Sequence, residues 1–227
     1  WKNSQGEWVH VGSCFNSLMT IFSFHPVKLI AMGEGGLITT NNENLYKKLL
    51  MFRNHGLTKD EDILECNEGP WYYEMHFLGF NYRITDIQTA LGLSQLKRLD
   101  TFVSRRREIA ERYNQAFAEV EWLTTPTERE NHYSSFHLYV ILIDLEALSL
   151  TRKDVMLQLS AKGIGTQVHY IPIHLQPFYK KNYGFNLGDF PFSESFYRNV
   201  VSLPIYPDLS LSDQKEVIRT LINIINA

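Results

Sequence analysis

The chain has 227 residues, of which 44% are hydrophobic and 21% charged, and its net charge is −3. This composition favours a folded chain over a disordered one and supplies no basic field to attract nucleic acid or an anionic membrane. Two cysteines, Cys14 and Cys66, are too few for a disulfide scaffold, and no apolar run reaches the roughly 18–20 residues of a membrane span, so we expect a cytoplasmic protein that binds neither nucleic acid nor membrane.

The first hundred residues predict short strands joined to helices. Apolar and β-branched runs predict strands at 20–24 and 37–40, with a glycine turn at 33–36 between them. A helix is predicted from residue 43, with one side formed by Leu45, Leu49 and Phe52. The polar, aromatic segment 58–76 predicts a long loop, and long loops within compact domains are often functional.

A capping box predicts the start of the next helix, because a Thr85 hydroxyl and a Gln88 side chain can each satisfy a free backbone amide. This helix would carry one apolar face, made of Ile87, Ala90 and Leu91. A further helical pattern has its apolar positions at Ile109, Ala110, Tyr113 and Phe117. The polar stretch with Pro126 that follows predicts a domain boundary, which gives domains at 1–118 and 119–227.

The second domain alternates predicted strands and helices, as in a small α+β domain. Strands are predicted at 136–143 and 165–170. Between them, a helix is predicted from Thr151 to Lys162, where Gly163 stops it. A closing helix over 212–225 would face inward with Val217, Leu221, Ile224 and Ile225.

Lys28 differs from an ordinary surface lysine in its setting. It follows the aromatic segment 22–27 and precedes an apolar stretch and the glycine turn. Apolar surroundings favour the neutral, nucleophilic amine, and Ser23 offers a hydroxyl for a phosphate. A solvated lysine at a strand-to-loop corner explains the same residues, so the residues alone leave both interpretations open.

Four blocks in order resemble the DegT/DnrJ/EryC1/StrS family of nucleotide-sugar aminotransferases, which is far more specific than one short motif. The blocks are Ser23–Lys28 (SFHPVK) with Gly33–Gly36, Phe52–Gly56 (FRNHG), Gly79–Gln88 (GFNYRITDIQ) and Val168–Pro177 (VHYIPIHLQP). The resemblance implies an α/β fold of the fold-type I pyridoxal phosphate-dependent transferases, with part of the large domain and a C-terminal α+β small domain.

The resemblance also implies roles around the cofactor, pyridoxal 5′-phosphate. Lys28 would hold it covalently and then move the proton between the sugar carbon and the cofactor carbon. Ser23 would contact its phosphate, Asn81 would reach the phosphate of the neighbouring subunit in a homodimer, and His25 would either shape the pocket or only pack against it. As an alternative, Asn81 would simply tolerate a left-handed turn. No Cys/His spacing fits a zinc site, so no metal is expected.

Arg83, His169 and Tyr170 would face the substrate. Within the family, the blocks suit the branch that transfers an amino group from glutamate to a UDP-linked 4-keto-6-deoxy-N-acetylhexosamine in pseudaminic acid synthesis. Arg83 would lie where a nucleotide diphosphate passes, and His169 and Tyr170 would line the cleft. Structural alternatives are an ion pair of Arg83 with Asp86 and a satisfied histidine at a strand end for His169.

The chain departs from the family pattern in its upstream part. The family's large domain begins far before its lysine, whereas 27 residues precede Lys28 here, and the first of them is Trp1. We therefore expect either the later part of a longer protein or a truncated product, and the alternative function is a non-catalytic fragment that keeps dimer and small-domain surfaces.

Two other function classes are disfavoured. A sugar dehydratase of the same family would carry a histidine at the position of Lys28. The net charge and the lack of a helix-turn-helix pattern oppose DNA binding.

Overall fold

The computed structural model describes residues 1–226 and divides the chain into two compact units, Trp1–Leu99 and Asp100–Ala227. The sequence-based division after residue 118 differs from this one. The long helix before that position buries Ile109, Tyr113 and Phe117 in the core of the second unit, so the division by contacts falls ahead of this helix.

The first unit consists of small two-stranded sheets and two helices. Its elements are β1 (Thr20–Ser23), β2 (Gly36–Thr39), α1 (Glu43–Phe52), β3 (Leu57–Thr58), β4 (Glu74–Met75) and α2 (Asp86–Leu96). The antiparallel pair β1–β2 runs from Thr20 opposite Thr39 to Ser23 opposite Gly36, and β3 pairs with β4. The predicted strands and the helix start are confirmed, with Asn42 accepting a hydrogen bond from the Leu45 amide as N-cap.

Two predictions for this unit are corrected. The predicted loop 58–76 is paired at its ends as β3 and β4, so its unpaired part is 59–73. The capping box of Thr85 and Gln88 is present, but the predicted apolar face of α2 points outward, with Ile87 84% and Leu91 45% exposed. Among the described residues of this unit, the buried apolar side chains are Ile30 and Met32.

The second unit has a well-formed core. Its elements are α3 (Leu99–Phe117), β5 (Leu123–Thr124), β6 (Tyr139–Ile143), α4 (Arg152–Ala161), a 3₁₀ turn (Ile173–Leu175), α5 (Pro177–Tyr183), α6 (Pro191–Asn199), β7 (Val200–Leu203) and α7 (Leu211–Ile225). The antiparallel sheet has the order β5-β6-β7, and β6 alternates buried and half-buried residues, as expected for a strand with one face on a core.

Side chains of α3, α4, α7 and this sheet share one hydrophobic core. The predicted inward faces are confirmed: Tyr113 is fully buried on α3, and so is Leu221 on α7. The predicted strand 165–170 is wrong, because this segment makes only an isolated bridge between Gln167 and Ser202 of β7. Thr151 caps α4 through a capping box with Asp154. None of the helices in residues 1–226 is long and apolar enough to span a membrane.

Candidate active site

Lys28 lies on an ordered loop, residues 24–35, that connects β1 to β2. The Phe24 amide donates to the Gly35 carbonyl (2.9 Å), and the Met32 amide donates to the Phe24 carbonyl (3.0 Å), which closes the loop at its base. Within it, the Lys28 amide donates to the His25 carbonyl at 2.9 Å. Lys28 is half-buried. Hydrogen bonds therefore hold in place the backbone that carries the Lys28 amine.

Ser23 and His25 lie on the same segment. Ser23 is the last residue of β1, and its exposed hydroxyl accepts a hydrogen bond from the His25 amide at 3.4 Å. The His25 ring accepts from the Val27 amide (3.3 Å), and its Nε2 lies 3.8 Å from a Glu34 carboxylate oxygen. The structure thus places a hydroxyl and an imidazole within five residues of Lys28, and both remain accessible.

The N-terminal half of α2 fixes the far end of the Lys28 loop. The Gln88 side chain closes the capping box with Thr85 and also donates to the Glu34 carbonyl at 3.0 Å. Met32 packs where α2 has Gly92, and a Cβ at that position would lie 2.6 Å from the Met32 sulfur. Glycine at 92 therefore permits the close approach that joins the first and third sequence blocks.

Asn81 and Arg83 lie on a segment that pairs with the second block. Asn81 forms a β-bridge with Asn54, and its φ is not positive, so the alternative of a left-handed turn is wrong. Arg83 donates from Nη1 to Oδ1 of Asn54 at 2.7 Å, and the alternative ion pair with Asp86 is absent from the residues that the structure describes. Asn81 and Arg83 are both exposed.

The two paired segments approach closely. The Phe80 amide donates to the Phe52 carbonyl (2.8 Å), and the His55 amide donates to the Phe80 carbonyl (2.9 Å). Gly56 has φ +72°, and a Cβ there would lie 1.8 Å from the Phe77 carbonyl oxygen, so only glycine fits. This contact explains why the second sequence block ends in glycine.

His169 and Tyr170 belong to the second unit. His169 is half-buried, and its Nδ1 shares a hydrogen bond of 2.8 Å with the buried Ser202 hydroxyl of β7. Tyr170 is 69% exposed and makes an edge-on contact with the His169 ring at 4.6 Å between centroids. The hydrogen bond with Ser202 therefore agrees with the alternative of a satisfied histidine at this position.

The long loop 59–73 is held by a carboxylate that sequence reasoning missed. Glu74 accepts hydrogen bonds from the amides of Glu65 (2.8 Å) and Cys66 (3.0 Å), from the Tyr72 hydroxyl (3.2 Å), and shares one with His76 Nε2 (2.9 Å). The backbone hydrogen bond from Glu65, followed by the other donors, lowers the pKa of Glu74 despite some burial. The two backbone amides that donate to Glu74 lie eight and nine residues before it in the chain, a separation that leaves no short sequence signal.

Asn54 and Ser202 are two further polar residues that the sequence did not single out as site residues. Asn54 stands inside the quoted second block, which was the available signal, whereas Ser202 stands in an apolar run and gave none. Within residues 1–226, no group of three or more His, Cys, Asp or Glu side chains is arranged to hold a metal ion. The chemistry that these residues offer is therefore that of an amine, hydroxyls, amides, imidazoles and a guanidinium.

Comparison with known proteins agrees with these features. The DegT/DnrJ/EryC1/StrS aminotransferase family profile matches residues 6–222. The spore coat polysaccharide biosynthesis protein SpsC of Bacillus subtilis is 40% identical over 91% of this chain and 53% of its own.

Two solved structures are also similar. PseC of Helicobacter pylori, an aminotransferase involved in the biosynthesis of pseudaminic acid, superposes with a TM-score of 0.83 at 30% identity, over 92% of this chain and 54% of that one. The PLP form of Spr1654 from Streptococcus pneumoniae gives a TM-score of 0.82 at 30% identity, over 94% of this chain and 53% of that one.

These matches confirm the predicted fold class, that of the fold-type I pyridoxal phosphate-dependent transferases. The chain spans about half the length of the curated relatives it matches. With the profile matching nearly all of the sequence, the chain belongs to the DegT/DnrJ/EryC1/StrS aminotransferase family.

Proposed function

We propose that this chain serves a pyridoxal phosphate-dependent aminotransferase that moves an amino group from glutamate to the C4 keto carbon of a UDP-linked 4-keto-6-deoxy sugar, in the synthesis of a pseudaminic acid type surface glycan. The observation that carries the proposal is the position of Lys28, a half-buried amine on a loop that α2 fixes in place. The likeness to PseC supports the choice of sugar.

The polar groups of the Lys28 segment fit the cofactor. Its aldehyde needs an amine on a fixed backbone, which Lys28 supplies, and its phosphate accepts hydrogen bonds, which the exposed side chains of Ser23 and Asn81 can donate. When bound, the cofactor supplies an electron sink for the carbon that loses its proton.

We assign each site residue a task on this basis. Lys28 would hold the cofactor through its amine and would carry the proton between the substrate carbon and the cofactor carbon. Ser23 binds the phosphate of the cofactor in its own subunit. In a homodimer, Asn81 binds the phosphate of the cofactor that the neighbouring subunit holds. His25, next to Lys28 on the same loop, borders the cofactor pocket.

Arg83, His169 and Tyr170 are assigned to the substrate. The Arg83 guanidinium suits a diphosphate, because its planar donors match phosphate oxygens. The Ser202 hydroxyl shares a hydrogen bond with Nδ1 of His169 and so orients the ring, which we assign to the sugar. We place the reaction in the cytoplasm, where the two free cysteines, Cys14 and Cys66, remain reduced.

Binding of pyridoxal phosphate to Lys28 is the direct test. Mixed with the cofactor, the chain should gain an absorbance band near the edge of the visible range, and borohydride followed by peptide mass spectrometry should find the cofactor attached to Lys28. Lys28→Ala should lose both signals, whereas Lys97→Ala, at the exposed C-terminus of α2, should keep them.

Glutamate should then bleach the band, and a UDP-linked 4-keto-6-deoxy sugar should restore it. A chain that shows no band with excess cofactor would contradict the proposal and favour the non-catalytic alternative. Bleaching by glutamate without recovery on addition of the sugar nucleotide would keep the aminotransferase activity and overturn the proposed acceptor.

A further inference from the structure

The second sequence block, residues 52–56, carries none of the site residues that were proposed from the sequence. The structure shows that it is the support on which Asn81 and Arg83 rest. Its backbone pairs with segment 79–83 through hydrogen bonds of 2.8 to 2.9 Å and through the Asn54–Asn81 bridge. A segment joined this closely along its backbone moves together with its partner.

Asn54 is the side chain that links this support to a candidate substrate residue. Asn54 is half-buried. Its backbone amide donates to the Met51 carbonyl (2.9 Å), and its backbone carbonyl accepts from the Leu57 amide (3.0 Å), so its backbone is fixed on both sides. Its Oδ1 accepts from Nη1 of Arg83 at 2.7 Å. Arg83 is exposed, and without this bond its long side chain would sample several rotamers.

A neutral acceptor at this position matters for the charge of Arg83. An aspartate would orient the guanidinium equally well but would also pair with it and cancel its charge. The amide oxygen of Asn54 orients Arg83 and leaves its positive charge available. The remaining guanidinium donors of Arg83 are free to face a ligand, since this bond uses Nη1 alone.

The surroundings of Arg83 are cationic. Asn54 and Arg83 border a surface cleft of about 380 Å³ whose described lining also includes three basic residues and one acidic residue, which are Lys47, Arg53, Lys59 and Asp60. With Arg83, the lining carries four positive charges against one negative charge, and one of the four, Lys47, is paired with Glu43 at 3.3 Å. A cleft with this balance attracts an anion and fits a group with two negative charges.

We infer that Asn54 is a positioning residue that holds Arg83 toward this cleft, where it receives the diphosphate of a nucleoside diphosphate sugar. The inference rests on the proposed function for its ligand class. It adds a residue and a physical role: Asn54 acts through Arg83 and touches neither cofactor nor sugar.

A double-mutant cycle on UDP binding tests this role. Isothermal titration calorimetry of the chain with UDP is compared for wild type, Asn54→Ala, Arg83→Ala and the double variant. We expect Arg83→Ala to weaken binding about tenfold or more and Asn54→Ala to weaken it about three- to tenfold. In the double variant, loss of Asn54 should add nothing to loss of Arg83, because a residue that acts through Arg83 has no effect once Arg83 is gone.

Asn182→Ala is the matched control, since Asn182 is an exposed asparagine of α5 that donates to the Phe178 carbonyl in its own helix. It should bind UDP like the wild type. Thermal unfolding of each variant measures any loss of folding separately. Additive effects of the two substitutions, or wild-type affinity of Asn54→Ala, would overturn the inference.

The test also separates this inference from the proposed function. If the wild-type chain does not bind UDP, the inference is wrong, even where Lys28 binds pyridoxal phosphate. If UDP binds with the expected coupling but Lys28 never binds the cofactor, the aminotransferase proposal fails and the role of Asn54 stands.

Discussion

Arg106 offers a sharp test of how the second unit is held together. It lies on α3 with only 6% of its surface exposed, and no carboxylate pairs with it among the contacts found in residues 1–226. Instead, Nη1 donates to the carbonyls of Phe136 (3.2 Å), His137 (3.1 Å) and Ile205 (2.9 Å). Burial lowers the pKa of Arg106 from its usual value. One guanidinium thus joins α3 to the segments that enter β6 and leave β7.

We predict that Arg106→Met destabilises the second unit by about 2–4 kcal/mol. A hydrogen bond to a charged group contributes about 1.5–3 kcal/mol, and the substitution leaves three carbonyl oxygens without this donor. Methionine fills much of the same volume and removes the cost of burying a charge, which offsets part of the loss. Without that offset the loss would be larger.

Arg107→Met is the matched control, one residue further along α3. Arg107 makes a two-pronged ion pair with Glu128 (2.8 and 2.9 Å), but its side chain is 26% exposed. Ion pairs in contact with solvent contribute about 1 kcal/mol or less, so this substitution should have a much smaller effect.

Hydrogen exchange followed by mass spectrometry measures both variants on peptides that cover β6, because the central strand of a sheet exchanges only when its unit opens. Arg106→Met should lower the free energy of opening by more than Arg107→Met does. Equal losses, or a loss below about 1 kcal/mol for Arg106→Met, would refute the reasoning. Such a result would show that the free-energy cost of burying this charge offsets the stabilisation from its hydrogen bonds.

Two further predictions concern backbone geometry and pH. Gly56→Ala should lower the melting temperature far more than Gly163→Ala, because both have φ above +70° but an alanine Cβ would meet the Phe77 carbonyl at 56 and nothing at 163; similar shifts in thermal unfolding would contradict this. The hydrogen bond from His174 lowers the pKa of Glu194 in the folded state. The ionised Glu194 carboxylate therefore stabilises the fold at any pH above its unfolded-state pKa, and this stabilisation is lost as the pH falls through the lower folded-state pKa. Urea midpoints of Glu194→Gln should lie below those of the wild type at neutral pH and converge with them in acid, and a constant difference would count against the pair.

Much of the second unit was predictable from sequence because its structure follows local periodicity. The spacing of Ile109, Tyr113 and Phe117 is that of one helix face, and all three are buried. The capping box at Thr85 and the N-cap at Thr151 are equally local signals, and the structure contains both. The strand predicted at 165–170 failed because local propensity does not reveal how far a segment pairs, and here pairing stops after one bridge at Gln167.

The first unit shows the opposite case. The periodicity of Ile87 and Leu91 predicts an apolar face correctly, but periodicity does not reveal what packs against that face, and it is exposed in this chain. An apolar pattern reports which side of a helix is apolar, whereas burial depends on what other segments reach it.

The sequence by itself determined the family, because four ordered blocks identify it without any geometry, and the first of these blocks is the basis for proposing Lys28 as the cofactor lysine. Only the tertiary structure decided which hydrogen-bond partners the residues of these blocks have. Arg83 bonds to Asn54, Gln88 to the Lys28 loop, and His169 to Ser202. Those partners lie 29 to 54 residues apart in the chain. Local propensity acts over a few residues, so contacts at such separations are set by how the chain packs.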